Sequence, residues 1–201
     1  MEKSSPLWFL TLLLISGLVG CCGREPETRL IELAIVGTHD AAAYNASPRL
    51  RCQDLTLEEQ LEVGVRAFDL RLVDRYDGSG LLDLYHGKES LGLEFTEDVL
   101  PLFTQFLTAH PDEFVILSLR KEDDDHHSPN EMETYSLSLR RALERSGVRQ
   151  HIYRGELTPA TEVSELRGKL LILLRTRIGD DVCMPYFDGF QDDTTFVARL
   201  V

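Results

Sequence analysis

Three short stretches of this 201-residue chain carry residues able to move a proton and hold an anion: Gly37-Thr38-His39-Asp40, Phe68-Asp69-Leu70-Arg71 and Tyr85-His86-Gly87. A histidine titrates near neutral pH, so a pair of them can serve as base and acid in one reaction. A neighbouring carboxylate can hold each imidazole in one tautomer, and an arginine offers a planar, permanently charged fork to two phosphate oxygens. Together these groups can take a proton, stabilise a developing anionic charge and return a proton to a leaving group. His39, Asp40, Asp69, Arg71 and His86 are therefore the candidate catalytic residues.

Each stretch also has a plainer reading. His39-Asp40 can be a turn capped by the aspartate. Asp69 and Arg71, two apart on a strand, share a face and can be a structural ion pair. His86-Gly87 can be an ordinary strand end with a glycine bend. What favours one site is that each stretch falls within or directly after a Val, Ile and Leu run, which places all of them at the same end of successive strands. Arg120, Lys121 and Arg175 add positive charge at the ends of two further strands, and in an acidic protein this marks a local anion site. Lys121 and Glu122 are alternatively a solvent-facing pair. The run Asp123-Asp124-Asp125-His126-His127 has metal-ligand residue types, but a block of like charge in a loop is normally solvated, and no metal is assigned to it.

The elements that must position these groups alternate along the chain. Apolar runs at 33–37, 65–72, 81–85, 114–119 and 170–174 read as five strands. Thr56 with Glu59 opens a helix to about Glu62 as a capping box, and Gly64 stops it. A second helix covers 96–109 despite Pro101, and Ser128-Pro129-Asn130-Glu131 starts a third that Gly147 ends. Nearly all-apolar strands separated by helices imply a parallel α/β sheet. Polar residues at the C-terminal ends of all five strands favour a (β/α) TIM-type barrel over an open sheet with one switch point. A full eight-stranded barrel usually takes about 250 residues, so the expected barrel is distorted and incomplete.

Residues 1–20 have an apolar run and close on Leu18-Val19-Gly20-Cys21, like the leader of a bacterial lipoprotein in which Cys21 is lipidated. The expectation is an exported protein, either membrane-anchored through Cys21 or secreted, with 1–20 as signal, 21–28 as linker and 29–201 as one domain. A net charge of −13 argues against nucleic acid as a partner and against electrostatic adhesion to anionic lipid. Cys21, Cys22, Cys52 and Cys183 form no disulfide framework and no zinc spacing, and a Cys52–Cys183 pairing is left open. Asn45-Ala46-Ser47 is a glycosylation sequon only in a eukaryotic secretory route.

Taken as an ordered set over 33–175, these motifs resemble the X domain of phosphatidylinositol-specific phospholipases C, in particular the small bacterial secreted branch. The likeness rests on the turn at 37–40, Gly64-Val65-Arg66-Ala67-Phe68-Asp69-Leu70-Arg71, His86-Gly87, the stretch Pro111 to Glu122, and Gly168-Lys169. It implies a distorted barrel and cleavage of phosphatidylinositol, or its glycosylated form, to diacylglycerol and inositol 1,2-cyclic phosphate. His39 would be the base, His86 tuned by Asp40 the acid, Arg71 the anion stabiliser and Asp69 an orienting group, with Arg120 and Arg175 lining the inositol pocket. An arginine at 71 implies calcium independence and no cofactor, since the calcium-dependent branch is acidic there. A membrane surface is the implied partner, and a monomer the implied state.

Ala41 stands where the motif commonly has serine, and Arg120 where lysine is usual. The bacterial family continues for about three more strands, which bring an aspartate to the base histidine and an aromatic group to inositol, so the resemblance covers a partial domain. Two other readings are kept: a catalytically silent lipoprotein that binds phosphoinositide or inositol phosphate, and a metal-dependent phosphodiesterase with His39, Asp40, Asp69 and His86 as ligands.

Overall fold

The structure is a computed structural model that describes residues 28–122 and 128–176. Its centre is β2, Ala67–Asp74, eight residues of which five are apolar, and almost wholly buried. On one edge of β2 lies β5, Val115–Lys121, parallel and in register from Ala67 opposite Ile116 to Leu72 opposite Lys121. Beyond β5 runs β6, Leu170–Leu174, also parallel. The other edge of β2 is shared in succession: β1, Gly37–Thr38, pairs in parallel with Ala67 and Phe68, and β3, Leu82–His86, pairs antiparallel with Leu72–Asp74. The outermost strand is β4, Glu89–Glu94, antiparallel to β3. Among the described residues this is a six-stranded sheet that does not close, the arc of a distorted α/β barrel.

The sheet is mixed, which corrects the expectation of a wholly parallel one. A two-residue turn at Gly87-Lys88, with Gly87 at φ +61°, folds β3 straight back into β4. The sequence pattern hides β4 because glycine interrupts it at Gly92 and its two ends are glutamates. The expected first strand at 33–37 is also corrected. Leu30–Glu32 forms a 3-10 turn, Val36 is 62% exposed, and only Gly37–Thr38 pairs as strand.

The helices follow their caps. Helix α1, Leu57–Glu62, starts at Thr56, whose side chain accepts from Glu59 N while Glu59 accepts from Thr56 N, and Gly64 at φ +98° turns the chain away. The second expected helix divides into a π turn at Phe95–Val99 and α2, Leu100–Ala109. Pro101 falls in the first turn of α2, directly after the π turn. Helix α3, Pro129–Leu143, carries the Ser128–Glu131 capping box and ends before Gly147. No helix of the described residues is long and apolar enough to cross a membrane. The leader with Cys21, Cys22, the 123–127 run and Cys183 lie outside the described residues.

Alternation along the strands separates two faces. Phe68, Leu70 and Leu72 of β2, with Leu117, Leu119, Leu170 and Ile172, pack against Phe103 and Leu107 of α2 and Leu139 and Leu143 of α3. The opposite face carries Ala67, Ile116, Leu171 and Leu173, with Phe114, Leu166 and Leu30 below them. The next positions on this second face, toward the C-terminal ends of β2 and β5, are Asp69, Arg71, Ser118 and Arg120.

Phe68 and Phe103 meet edge to face at 4.8 Å with neither exposed, and this contact ties α2 to the strand that bears the charged residues. Phe103→Ala is expected to lower unfolding free energy by about 3–5 kcal/mol, and Thr56→Ala by about 1 kcal/mol, in urea titrations followed by circular dichroism.

Candidate active site

The turn after β1 is held from three sides. Asp40 sits at φ +43°, a left-handed conformation that aspartate tolerates better than most residues. Its amide donates to Asp69 Oδ2 at 3.3 Å, and the Ala41 amide donates to the Asp69 carbonyl at 2.9 Å. Gln60, buried on α1, accepts from Thr38 Oγ1 at 2.7 Å and donates to the carbonyls of Ala41 and Leu55 at 2.8 Å. Gln53 donates to the His39 carbonyl at 2.7 Å. Ala41 is fully buried in the main core, so this position serves packing here.

Asp40 is the hub of the charged cluster. Its Oδ1 faces Arg71 Nε in an ion pair, while its Oδ2 lies 3.1 Å from His39 Nε2 and 3.3 Å from His86 Nε2. Asp69 has no exposure; its Oδ1 accepts from Arg175 Nη1 at 2.7 Å, and its Oδ2 lies 3.0 Å from His39 Nδ1. Glu122 Oε2 is 3.2 Å from Arg71 Nη1, and Glu122 Oε1 accepts from the Gly87 amide. His86 Nδ1 is 2.7 Å from the Leu50 carbonyl, so that nitrogen carries a proton and Nε2 is the one turned to Asp40.

All five expected catalytic residues therefore meet in one cluster, joined by Arg175. Arg120 lies opposite Arg71 in the parallel register and shares its face. Lys121 does not join them: one residue further along β5, it is opposite Leu72, on the helix-covered face, with its ammonium 5.8 Å from the Tyr76 ring centre. Strand alternation is the reason, and it corrects the reading that groups Lys121 with the anion site. Glu122, read from the sequence as a solvent partner of Lys121, has a side chain only 4% exposed and grips Arg71. Its spacing two after Arg120 and four after Ser118 was the available signal. Gln60 and the Leu50 carbonyl have no signature in the sequence, because their roles depend on where the loop folds.

The charges are interleaved. Three carboxylates, of Asp40, Asp69 and Glu122, alternate with the guanidiniums of Arg71 and Arg175 and the imidazole of His39. The hydrogen bond to Asp40, joined by that to Asp69, raises the His39 pKa to about 9 against a smaller opposing effect of burial. His39 is thus an imidazolium at neutral pH in this arrangement, not the neutral base that its residue type suggests. Burial acts to raise the Asp69 carboxyl, but His39, Arg175 and Arg71 outweigh it and hold the group below its ordinary value. Burial acts against the charge on Arg71, and Asp40, Asp69 and Glu122 override it.

Two groupings could hold a cation by residue type: His39, Asp40 and Asp69, and Asp40, Cys52 and His86, with ligand atoms of each group within 4.8 Å of one another. Calcium takes six to eight oxygen ligands. In the first grouping each aspartate already has an oxygen on a guanidinium.

A barrel arc that ends in two histidines, a buried arginine and shared carboxylates brings together groups able to move a proton and to hold an anion. The chain belongs to the phosphatidylinositol-specific phospholipase C, X domain family, whose model matches residues 32–176. It is 30% identical over 162 residues to the 1-phosphatidylinositol phosphodiesterase of Listeria monocytogenes, covering 73% of this chain and 45% of that protein. The solved phosphatidylinositol-specific phospholipase C from Listeria monocytogenes is similar with a TM-score of 0.60 at 26% identity, over 76% of this chain and 54% of that one. A mutant of the Staphylococcus aureus enzyme gives a TM-score of 0.62 at 22% identity, over 75% and 50%, a likeness of fold. The chain spans about half the length of these relatives.

The sign of the His39 shift sets a pH dependence. A folded-state pKa of about 9 above an ordinary 6.5 means that the stability contributed by His39 is fully present below pH 6.5 and is lost as pH rises through 9. Proton NMR titration should find the His39 ring protonated well past neutrality, and Asp69→Asn should bring its midpoint down toward the ordinary value. A wild-type midpoint near 6.5 would show that the two carboxylates do not hold the ring.

Proposed function

We propose that this chain cleaves the phosphodiester of phosphatidylinositol, or of its glycosylated form, to diacylglycerol and inositol 1,2-cyclic phosphate. The observation that carries the reading is the single Asp40 oxygen lying 3.1 Å from one histidine Nε2 and 3.3 Å from the other, with Arg71 on the second oxygen. The two legs meet at one atom, so both ring nitrogens lie within the span of one phosphate group. Family membership and the Listeria relative, a 1-phosphatidylinositol phosphodiesterase, support the substrate class.

In this reaction the inositol 2-hydroxyl gives its proton to His39 Nε2 and its oxygen attacks phosphorus. The bond from phosphorus to the glycerol oxygen breaks, and His86 Nε2 returns a proton to that oxygen. Water opens the cyclic ester in a second, slower step. Asp69, fixed by Arg175, holds His39 through Nδ1 and supplies the carboxylate support that the resemblance assigned to later strands. Arg71 balances the added charge at phosphorus, and Asp40 with Glu122 fixes its plane. Arg120, on the Arg71 face, and Arg175 are the basic groups that the family resemblance assigns to the inositol hydroxyls.

No metal cofactor is required in this scheme, since Arg71 and Arg175 provide the positive charge. The leader and Cys21 favour an exported, lipid-anchored protein working at a membrane surface, the net charge of −13 leaving that contact to the lipid. A second reading, a binding protein for inositol phosphate, is favoured by one observation: His39 at a pKa of about 9 is a cation at neutral pH, suited to hold an anion rather than take a proton.

Release of inositol 1,2-cyclic phosphate from phosphatidylinositol vesicles by the purified protein decides between them. Product formed in EDTA, and reduced about 10²–10⁴-fold by His39→Ala, is the expected result. Because His39 must lose its proton to act as base while His86 keeps one to act as acid, kcat/KM is expected to follow a bell-shaped pH profile with one limb near pH 9. Inositol phosphate binding without turnover at any pH would establish the second reading, and cleavage abolished by EDTA and restored by a divalent ion would overturn the role given to Arg71.

A further inference from the structure

Cys52 lies on the loop between β1 and α1, exposed to solvent, and is the free cysteine of the described residues. Its Sγ is 3.8 Å from Asp40 Oδ2, the same oxygen that lies 3.3 Å from His86 Nε2. Three donors of different chemistry, a carboxylate oxygen, an imidazole nitrogen and a thiol, therefore converge with all their ligand atoms within 4.8 Å. Tetrahedral zinc, with its usual bond lengths, would separate oxygen from nitrogen by roughly 3.3 Å and oxygen from sulfur by roughly 3.6 Å. The observed edges match the first and exceed the second slightly, so the site is close to preformed.

The surroundings fit the same ion. His86 donates its Nδ1 proton to the Leu50 carbonyl, the second-shell bond that ordinarily fixes the tautomer of a metal-bound histidine and turns Nε2 to the metal. The free thiol of Cys52 lies 3.5 Å from Leu50 O, a contact that its proton makes and that zinc binding would release. Asp40 keeps Oδ1 on Arg71, so an ion would take Oδ2 in place of His39 Nε2, which lies 3.1 Å from it. A recess of about 240 Å³ lined by Pro48, Arg51, Cys52, Gln53 and Asp54 opens beside the thiol and gives room for the fourth, exchangeable ligand. A thiolate in the set selects a borderline-soft ion and disfavours calcium and magnesium.

We propose that Asp40 Oδ2, Cys52 Sγ and His86 Nε2 form a three-ligand Zn²⁺ site at the rim of the cluster, and that the bound ion inhibits the protein. Binding replaces the thiol proton with zinc and releases that proton to solvent, so the thiolate and Asp40 balance the ion's two charges. The ion removes His39 from Asp40 Oδ2 and occupies the His86 nitrogen assigned to the leaving group. The inhibitory half of the proposal rests on the catalytic reading above, whereas the binding half does not.

Cobalt is the probe, because a tetrahedral Co²⁺ thiolate absorbs where the apoprotein does not. Titration of the full chain is expected to give one site with a thiolate-to-cobalt band, displaced by Zn²⁺. Cys52→Ser should abolish the band and weaken Co²⁺ binding at least tenfold, and a Cys22→Ser, Cys183→Ser double variant should retain both. His86→Gln should keep the thiolate band with at least tenfold weaker binding. Absence of the band in the parent chain, or its survival in Cys52→Ser, overturns the site. In vesicle assays Zn²⁺ should inhibit the parent reversibly, with at least a tenfold higher inhibitory concentration for Cys52→Ser; equal sensitivity overturns inhibition through this site. A chain that binds cobalt through Cys52 yet shows no turnover would refute the catalytic reading and leave the metal site standing.

Discussion

The buried ion pair between Asp40 and Arg71 is the constraint around which the rest is arranged. Placing a carboxylate and a guanidinium under a protein surface costs several kcal/mol per ion, and the attraction between them offsets this only when their remaining lone pairs and protons are also matched. Here they are matched by neighbours that are themselves charged: Glu122 on Arg71, His39 and His86 on Asp40, and Asp69 with Arg175 behind. Removing one member leaves its partner buried and uncompensated, which is far more costly than losing an exposed pair. The cluster is therefore a structural unit as well as a chemical one, and its parts cannot vary independently.

Two members of that unit, Asp69 and Arg71, are positioned by a single strand. β2 sends Phe68, Leu70 and Leu72 into the helix-covered core and Asp69 and Arg71 to the other face, so every charge on the site side has an apolar anchor on the core side one residue away. A slip of one residue in the pairing with β5 would exchange the two sets, burying the charges among leucines. The six-pair register with β5 prevents this, and the same register carries Arg120 to the site face and Lys121 to the opposite one. The Asp69 carbonyl and carboxylate then fasten the turn that follows β1, so the short edge strand needs only two residues of pairing.

Much of this was legible in the sequence for local reasons. Capping boxes at Thr56 and Ser128 reveal helix starts because the groups that satisfy the first amides lie three residues apart in the chain. His39, Asp40, Asp69, Arg71 and His86 were legible because each ends or interrupts an apolar run. What escaped depends on distant pairing. The strand β4 exists because β3 offers it an edge, not because Glu89, Gly92 and Glu94 favour extension. Glu122 acquires its role only when β3 brings Gly87 beside it, and Gln60 only when α1 is set under the turn. The side chosen by Lys121 was derivable from alternation once Arg120 was assigned, since neighbours on a strand face opposite ways.

The position of His39 between two carboxylates bears on how a phosphate diester would enter. Such an ester brings one negative charge to a site whose three carboxylates already engage Arg71, Arg175 and His39. The ester and Asp40 must then compete for the same donors, Arg71 and His39 Nε2. Asp69 does not compete, because it holds Nδ1 from beneath and is itself anchored by Arg175. An arriving anion would thus loosen the Nε2 contact with Asp40 while leaving the ring fixed through Nδ1, turning that nitrogen toward the ligand. Asp40 would keep its contact with His86, whose second ring nitrogen is pinned to Leu50. In the proposed reaction the two histidines then differ in their supporting carboxylate, Asp69 for one and Asp40 for the other, and the side of phosphorus that each ring faces decides which takes the proton and which returns one.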